Sequence, residues 1–526
     1  MLVFLLALLV LCLCVYRRCF HSLAAVPGPP LAAVTGLWYA YHVRNGHMLR
    51  LAQTLHQKYG PVVRVGPNEL WFDSAEAVRL IYSTALLPYA SGRTALTPEQ
   101  IRVPLRPTSP DTLDLLSERN TKRYRLQRRL IGPVYHEANM QKFGGAVDAV
   151  LQRAVAELQL LDGARVDLKE WMHIIAVECL GAVVLSWSPG YIQDRSDHGS
   201  SAAGYYNWRR KSVFGLFPVL VLVDLHSRWV SRGFAAVWRL NYERRADYKP
   251  LFARVAMRIR RALRPKVRPA SAKQSRKPSP APRRANDLMA DLLDLHEAKP
   301  AFNETYLRRL AVTNFGAGHE TLCSALTAIV AMIGSHPDVF RRVAAEIREA
   351  ATAAAAITSA RHVHDHLPLT WASIREAQRL HPAIAMSLSR TVPSADTGPP
   401  LRLHGHVLPP GTTVGCSPAA LHRNPAIFGA DADVFRPERW LLPDDADEVQ
   451  QARLRDMERL SLVWGGSSRT CPGRHLSEMV LYKTVVALLA AFDIEAFMPS
   501  DDQIRYYFLA MLTGAQAEFR TREQKR

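Results

Sequence analysis

The chain has 526 residues, 48% hydrophobic and 22% charged, with a formal net charge of +20. That composition supplies one large core and argues against a string of small modules. The positive balance favours acidic or anionic partners, but no zinc-finger spacing or RNA-binding aromatic signature accompanies it, so nucleic acid is not an expected partner. The seven cysteines (Cys12, Cys14, Cys19, Cys179, Cys323, Cys416 and Cys471) include no C-x-x-C pair. They indicate neither a zinc site nor a disulfide framework, and fit a reducing compartment.

Residues 1–16 read MLVFLLALLVLCLCVY and are followed by Arg17 and Arg18. A spanning helix needs about 20 residues; extension through Cys19 and Phe20, with the arginines snorkelling, supplies them. In a cleaved signal peptide the positive charge precedes the apolar core. Here it follows, so residues 1–20 are read as a single-pass anchor with the body on the cytoplasmic side. Residues 21–30, containing Pro27-Gly28-Pro29-Pro30, form a stiff proline-rich hinge, and 31–526 form the body.

Within the body, residues 49–58 have helical apolar spacing, and 61–72 alternate like a hairpin turning at Gly66-Pro67-Asn68. A basic helix is predicted over 118–135, ended by Gly132-Pro133. Two long helices follow over about 146–161 and 168–185. Residues 186–204 read as a loop. Residues 213–223 are apolar but too short to span a bilayer; they line a pocket, dip into the membrane surface or end a buried helix. Residues 264–285, basic and proline-rich, read as a disordered loop within the body. Asn303 has the chemistry of a helix N-cap, opening a helix to about Ser335. Further helices start at Pro337 and near Thr370, the latter ending at Pro382. Strand-like pieces lie at 386–392 and 401–407. His362, His364 and His366 alternate in a loop-like segment and are read as solvated surface, since spacing alone is weak evidence for a metal.

Three motifs and one basic helix carry chemistry. Residues 464–473 read W-G-G-S-S-R-T-C-P-G. Small residues let a backbone approach a flat ligand closely. Cys471 precedes a helix-like segment from His475, and free N–H groups at a helix N-terminus stabilise a thiolate. Alone, such a cysteine reads more often as structural, since buried cysteines are usually inert. Glu376 and Arg379 share a helix face at i, i+3 just before Leu380-His381-Pro382, and Phe435-Arg436-Pro437-Glu438-Arg439-Trp440 follows. Ala317-Gly318-His319-Glu320-Thr321 sets Ala317 and Thr321 on one face at i, i+4. Residues 124–133 read Y-R-L-Q-R-R-L-I-G-P.

In this order the motifs resemble the cytochrome P-450 superfamily, most of all its filamentous-fungal membrane-bound members. The cysteine segment resembles F-x-x-G-x-R-x-C-x-G, with Trp464 standing for the Phe and Ser467 for the first Gly. The resemblance implies the P-450 fold: mainly α with small β-sheets, behind an N-terminal transmembrane anchor. It implies haem b, its iron held by the thiolate of Cys471, with Tyr124, Arg128, Ala317, Arg390, Trp464, Arg469 and Gly473 around it. The arginines would pair with the two propionates. By the same resemblance Glu376, Arg379 and Arg439 form a buried structural triad, while Glu320 and Thr321 guide protons to bound oxygen and are the catalytic pair. The pocket would draw on roughly 95–115, 310–315, 383–388 and 509–513, mostly apolar.

The activity so implied is a monooxygenase acting on a hydrophobic small molecule of fungal secondary metabolism, at the endoplasmic reticulum membrane. Its electrons would come from a separate NADPH–cytochrome reductase, since no flavin or G-x-G-x-x-G segment is present. A haem-thiolate isomerase or dehydratase that needs no reductase is the alternative, and a non-catalytic haem- or lipid-binding protein the third reading.

Overall fold

The computed structural model describes residues 1–82, 113, 115, 118, 121–217, 228–241, 249–263, 286–350, 360–392 and 401–522. The basic 264–285 segment lies outside the described residues, as do nearly all of 95–115 and the second half of 213–223.

The N-terminal helix α1 (Leu2–Val15) runs into a π-helical turn, Tyr16–Phe20, and together they form an apolar rod with no buried residue. This rod is a candidate membrane anchor. Its base is tied to the body. Arg17 donates to the Val34 carbonyl at 2.7 Å, and the Arg64 guanidinium donates to the carbonyls of Arg17 (3.0 Å) and Pro67 (2.7 Å). The Arg64 N–H donates to Pro27 O at 2.8 Å, and Leu23 and Val26 are buried. The proline-rich stretch is therefore packed onto strand β1 (Val62–Gly66).

The helices that build the site are α2 (Thr121–Ile131), α3 (Gly144–Gln159), α4 (Leu168–Leu185), α5 (Ser200–Gly215), α6 (Glu304–Gly334), α7 (Pro337–Glu349), α8 (Pro368–Leu380) and α9 (Arg474–Ala491). Helix α6 is 31 residues long and is capped by Asn303, whose side chain accepts from Tyr306 N at 2.9 Å. Nearly every side chain of α4 is buried, as a helix apolar all round requires, and α4 lies along α6. From Leu322 to Gly334 α6 is buried as well; in its middle, Gly316 and Ala317 are exposed. One flat, small-residue turn is thus left open on the helix that runs through the core.

Among the described residues three small sheets flank the helices. One has the order β1-β2-β7-β4, with β2 at Glu69–Phe72, β4 at Arg390–Thr391 and β7 at Thr413–Gly415. A second has the order β3-β9-β8, formed by Arg165–Asp167, Gln516–Thr521 and Phe492–Phe497. The third is a hairpin of β5 (Leu401–Leu403) and β6 (His406–Leu408).

Several local expectations are corrected. Residues 401–407 are two strands about a turn at His404 and Gly405, both with positive φ, so one alternating run concealed a reversal. Only Arg390–Thr391 of the 386–392 piece pairs as strand. The 186–204 loop contains a short helix, Tyr191–Asp194, and ends in the first turn of α5; burial of Trp208, Val213 and Phe214 overrides the weak helix propensity of its Ser- and Gly-rich start. The three-histidine segment is helical, Ala360–His366, with the rings of His362 and His366 stacked at 4.4 Å.

Candidate active site

The cysteine segment folds as a tight loop ahead of α9. The Cys471 N–H donates to Trp464 O at 2.8 Å, which closes the loop. Gly465 (φ +79°) and Ser467 (φ +53°) turn the chain, and Ser467–Arg469 forms a single 3-10 turn. Gly466 meets Tyr82 so closely that a Cβ there would lie 2.7 Å from the Tyr82 Cβ. Gly473 is the N-cap residue of α9. Burial pushes the Cys471 thiol up, opposed by the Gly473 backbone bond and by the charge of Arg128.

Cations gather beside it. The Arg469 guanidinium stacks on the Tyr124 ring at 3.8 Å and donates to Glu118 O at 2.8 Å. Arg390 lies 5.1 Å from the centroid of the Tyr82 ring and donates to Ser389 O at 3.0 Å. Burial raises the Tyr124 hydroxyl, and the charges of Arg128, Arg469 and Arg390 counter it. Among the described residues none of the three forms an ion pair. Glu118, whose charge reaches Arg469, is paired with Arg123. The Nη1 of Arg128 is buried with no hydrogen-bond partner, and burial depresses both Arg390 and Arg469. Buried cations without anions are costly, and a planar ligand carrying two carboxylates would relieve that cost.

The open turn of α6 is the other wall. Tyr135, just beyond α2, donates its hydroxyl to Asn314 Oδ1 of α6. Burial raises that phenol, and the charge of Cys471 adds to the effect. The Thr321 hydroxyl donates to Ala317 O at 2.7 Å and contacts Gly318 O at 3.1 Å. Glu320, next in the chain and about 100° round the helix, is buried, and its carboxylate accepts the indole N–H of Trp208 on α5. The sequence motif pairs Glu320 with Thr321; here the two side chains have separate partners.

Behind the loop, Glu376 accepts two bonds from Arg379 (2.8 Å each) and others from Arg439 Nε (3.0 Å), Trp440 Nε1 (2.9 Å) and Arg436 N (3.0 Å). Burial works against its charge, but these partners hold the carboxyl below its usual range. The triad expected at Glu376, Arg379 and Arg439 is assembled, fully buried. Sequence reasoning missed Trp208, Tyr82, Tyr135 and His422, whose partners lie far along the chain.

Residues 26–515 match the family described as Cytochrome P450. The chain is a member of the cytochrome P450 family. It is 51% identical over 531 residues to cytochrome P450 monooxygenase sdnT of Sordaria araneosa, covering 96% of this chain and 92% of that one. It is 27% identical over 496 residues to a pisatin demethylase of Fusarium vanettenii (91% and 87% covered). It is 28% identical over 507 residues to cytochrome P450 monooxygenase hepC of Aspergillus oryzae (93% and 90% covered). P450 enzymes carry a haem-thiolate iron, and the donor set here suits one: a cysteine, a buried Arg390, the partly buried Arg469 and Arg128 with an orphaned Arg128 N–H, and an open small-residue turn.

Proposed function

We propose that this cytochrome P450 inserts one atom of dioxygen into a hydrophobic small molecule of fungal secondary metabolism. The balance is RH + O2 + NADPH + H⁺ → ROH + H2O + NADP⁺, with electrons delivered by a separate NADPH–cytochrome reductase. The observation that carries the reading is the tight Cys471 loop together with Arg469 stacked on Tyr124, a buried Arg390 and a buried Arg128 Nη1 with no partner. The 51% relative named as a monooxygenase supports it.

Bound haem b would supply the iron that takes up and activates dioxygen. Cys471 would be its thiolate ligand, with Gly473, the N-cap of α9, beside the sulfur. Arg128, Arg390 and Arg469 would hold its propionates, and Tyr124, stacked on Arg469, fixes the plane of that guanidinium. Trp464 buttresses the loop through the bond from Cys471 N. Ala317 lets a flat group lie against α6. The Thr321 hydroxyl, its proton engaged by Ala317 O, keeps an oxygen lone pair to accept a proton and can pass its own on by changing partner. Glu320 is the acid that brings protons to it from solvent.

The Leu2–Phe20 rod anchors the protein in the endoplasmic reticulum membrane with the body in the cytoplasm. The +20 balance suits an acidic reductase surface. Reconstitution in microsomes, with a substrate found by screening for ligands that shift the haem spectrum, tests the reading. Product should form only with reductase and NADPH. Turnover without reductase would replace the monooxygenase by a rearrangement enzyme.

A further inference from the structure

Glu320 is the carboxylate nearest in sequence to the Thr321 hydroxyl, yet its partner comes from another helix. Trp208 donates its indole N–H to Glu320 Oε2 in a buried contact. The other carboxylate oxygen, Oε1, rests on the backbone of α5 at Gly204: a Cβ there would lie 2.6 Å from it, so only glycine leaves this niche open. Across the niche, His319 Nε2 stands 3.8 Å from Oε1, and Lys211 Nζ lies 4.9 Å from the Trp208 ring.

Trp208 is itself held by the chain segment before β9. Its ring stacks on Phe508 at 5.4 Å, its carbonyl accepts the Ser212 hydroxyl at 2.6 Å, and that hydroxyl accepts Phe508 N at 3.1 Å. The same segment is fixed to α6, where Ser324 donates to Ala510 O at 2.7 Å, and Met511 reaches the Gly204 niche. Residues 509–513 are among those expected to line the substrate pocket. A ligand pressing on this segment or on α5 therefore acts on the residue that grips Glu320.

From these contacts we infer that Trp208 is a positioning residue for Glu320. It parks the carboxylate on α5, away from the Thr321 hydroxyl, so that the placement of α5 and of the 508–511 segment decides when the acid can hand a proton on. The inference rests on the role given to Glu320 above. A neutral donor on a buried carboxylate contributes enough to favour one side-chain position over another by tenfold or more, on the order of a bond to a charged group. Releasing it only when the pocket is filled makes oxygen chemistry wait for substrate.

Three variants and one double variant test this in the full-length holoenzyme. Trp208→Phe keeps the ring stack and removes the N–H. Gly204→Ala leaves Trp208 intact and pushes the flexible end of Glu320 out of its niche. Both should raise NADPH consumption in the absence of substrate several-fold, by NADPH + H⁺ + O2 → NADP⁺ + H2O2, and lower product formed per NADPH when substrate is present. Trp208→Phe should add nothing in a Glu320→Gln background. Equal effects of Trp208→Phe in both backgrounds would make Trp208 a packing residue and overturn the inference. The contact has its own readout in the indole ¹H–¹⁵N resonance of Trp208, assigned by its loss in Trp208→Phe, which should move in Glu320→Gln; a stationary resonance also overturns it. If Glu320→Gln leaves product per NADPH unchanged while the resonance moves, the contact stands. In that case the role of Glu320 has failed, and the inference with it.

Discussion

The imidazole Nε2 of His422 accepts the backbone N–H of Leu462 at 2.9 Å. Its Nδ1 faces Arg379 O at 3.2 Å; a carbonyl only accepts, so the ring proton sits on Nδ1 and the imidazole is neutral. One histidine thus joins an arginine of the buried triad to the chain that enters the cysteine loop. Protonating Nε2 would set two N–H groups face to face. Burial, followed by the charge of Arg379, lowers His422 to about 3. Burial, followed by Arg423, lowers His381, which bonds the Tyr506 hydroxyl at 2.7 Å, to about 3 as well.

These two histidines make stability depend on pH with a definite sign. Unfolded, each titrates near 6.5; folded, near 3. Between those values the unfolded chain binds more protons, so their contribution is fully present above pH 6.5 and is lost as pH falls towards 3. The slope is up to about 1.4 kcal/mol per pH unit for each histidine. Thermal melting followed by tryptophan fluorescence should show a midpoint that drops steadily from pH 7 to pH 4.5. His422→Gln, which can still donate and accept, should flatten that slope. An equal slope in the variant would mean that His422 does not remain neutral.

The anchor and its junction give a second prediction. Removing residues 2–20 deletes the exposed rod and should release the protein from microsomes into a high-salt wash. Removing residues 2–26 also deletes Leu23 and Val26, which are 1% and 7% exposed. Burial of two such side chains contributes about 3–6 kcal/mol, so the longer truncation should melt well below the shorter one. Equal melting temperatures would show that the junction adds nothing to the body.

What the sequence revealed was what local spacing encodes. Ala317 and Thr321 lie one turn apart, Glu376 and Arg379 nearly so, and Asn303 caps α6 through an atom three residues away; such relations follow from helix geometry alone. The cysteine loop was legible because its glycines, Arg469 and Cys471 all fall within residues 464–473. Contacts between distant segments were not. The Trp208–Glu320 bond spans 112 residues and the His422–Leu462 bond 40, and no periodicity carries such pairings. The start of α5 was hidden because its Ser and Gly residues favour loops, and its helix is stabilised by what Trp208 and Phe214 bury.

Ser467 occupies the left-handed region at φ +53°. A residue with a Cβ is strained there by about 1–2 kcal/mol, whereas glycine is not. Part of that gain is offset, because glycine loses more backbone entropy on folding, roughly 0.5–1 kcal/mol. Ser467→Gly should therefore raise stability by about 0.5–1 kcal/mol and slow loss of haem on warming. Ser467→Val should do the reverse. The check is the temperature at which the haem absorbance collapses; no difference among the three proteins would mean that the loop absorbs the strain.

Thr321 gives the prediction closest to the chemistry. Its hydroxyl bonds back to Ala317 O within the same helix, an interaction that contributes little to helix stability and often bends the helix. Thr321→Ala should accordingly keep its fold, its haem and its ligand-induced spectral shifts. What it loses is the Thr321 hydroxyl, which bonds one turn back to Ala317 of the open turn. A positioned proton-transfer group contributes about 10²–10⁴-fold to the step it serves, and a water molecule can replace part of that. Electrons from NADPH would still reach oxygen in the variant, and more of them would leave as hydrogen peroxide. The measurement is product formed per NADPH consumed, with peroxide quantified in the same reaction. The ratio should fall in Thr321→Ala and recover in Thr321→Ser, which restores the hydroxyl without the methyl. An unchanged ratio would remove Thr321 from the proton path, and a fall that serine does not rescue would assign the effect to packing.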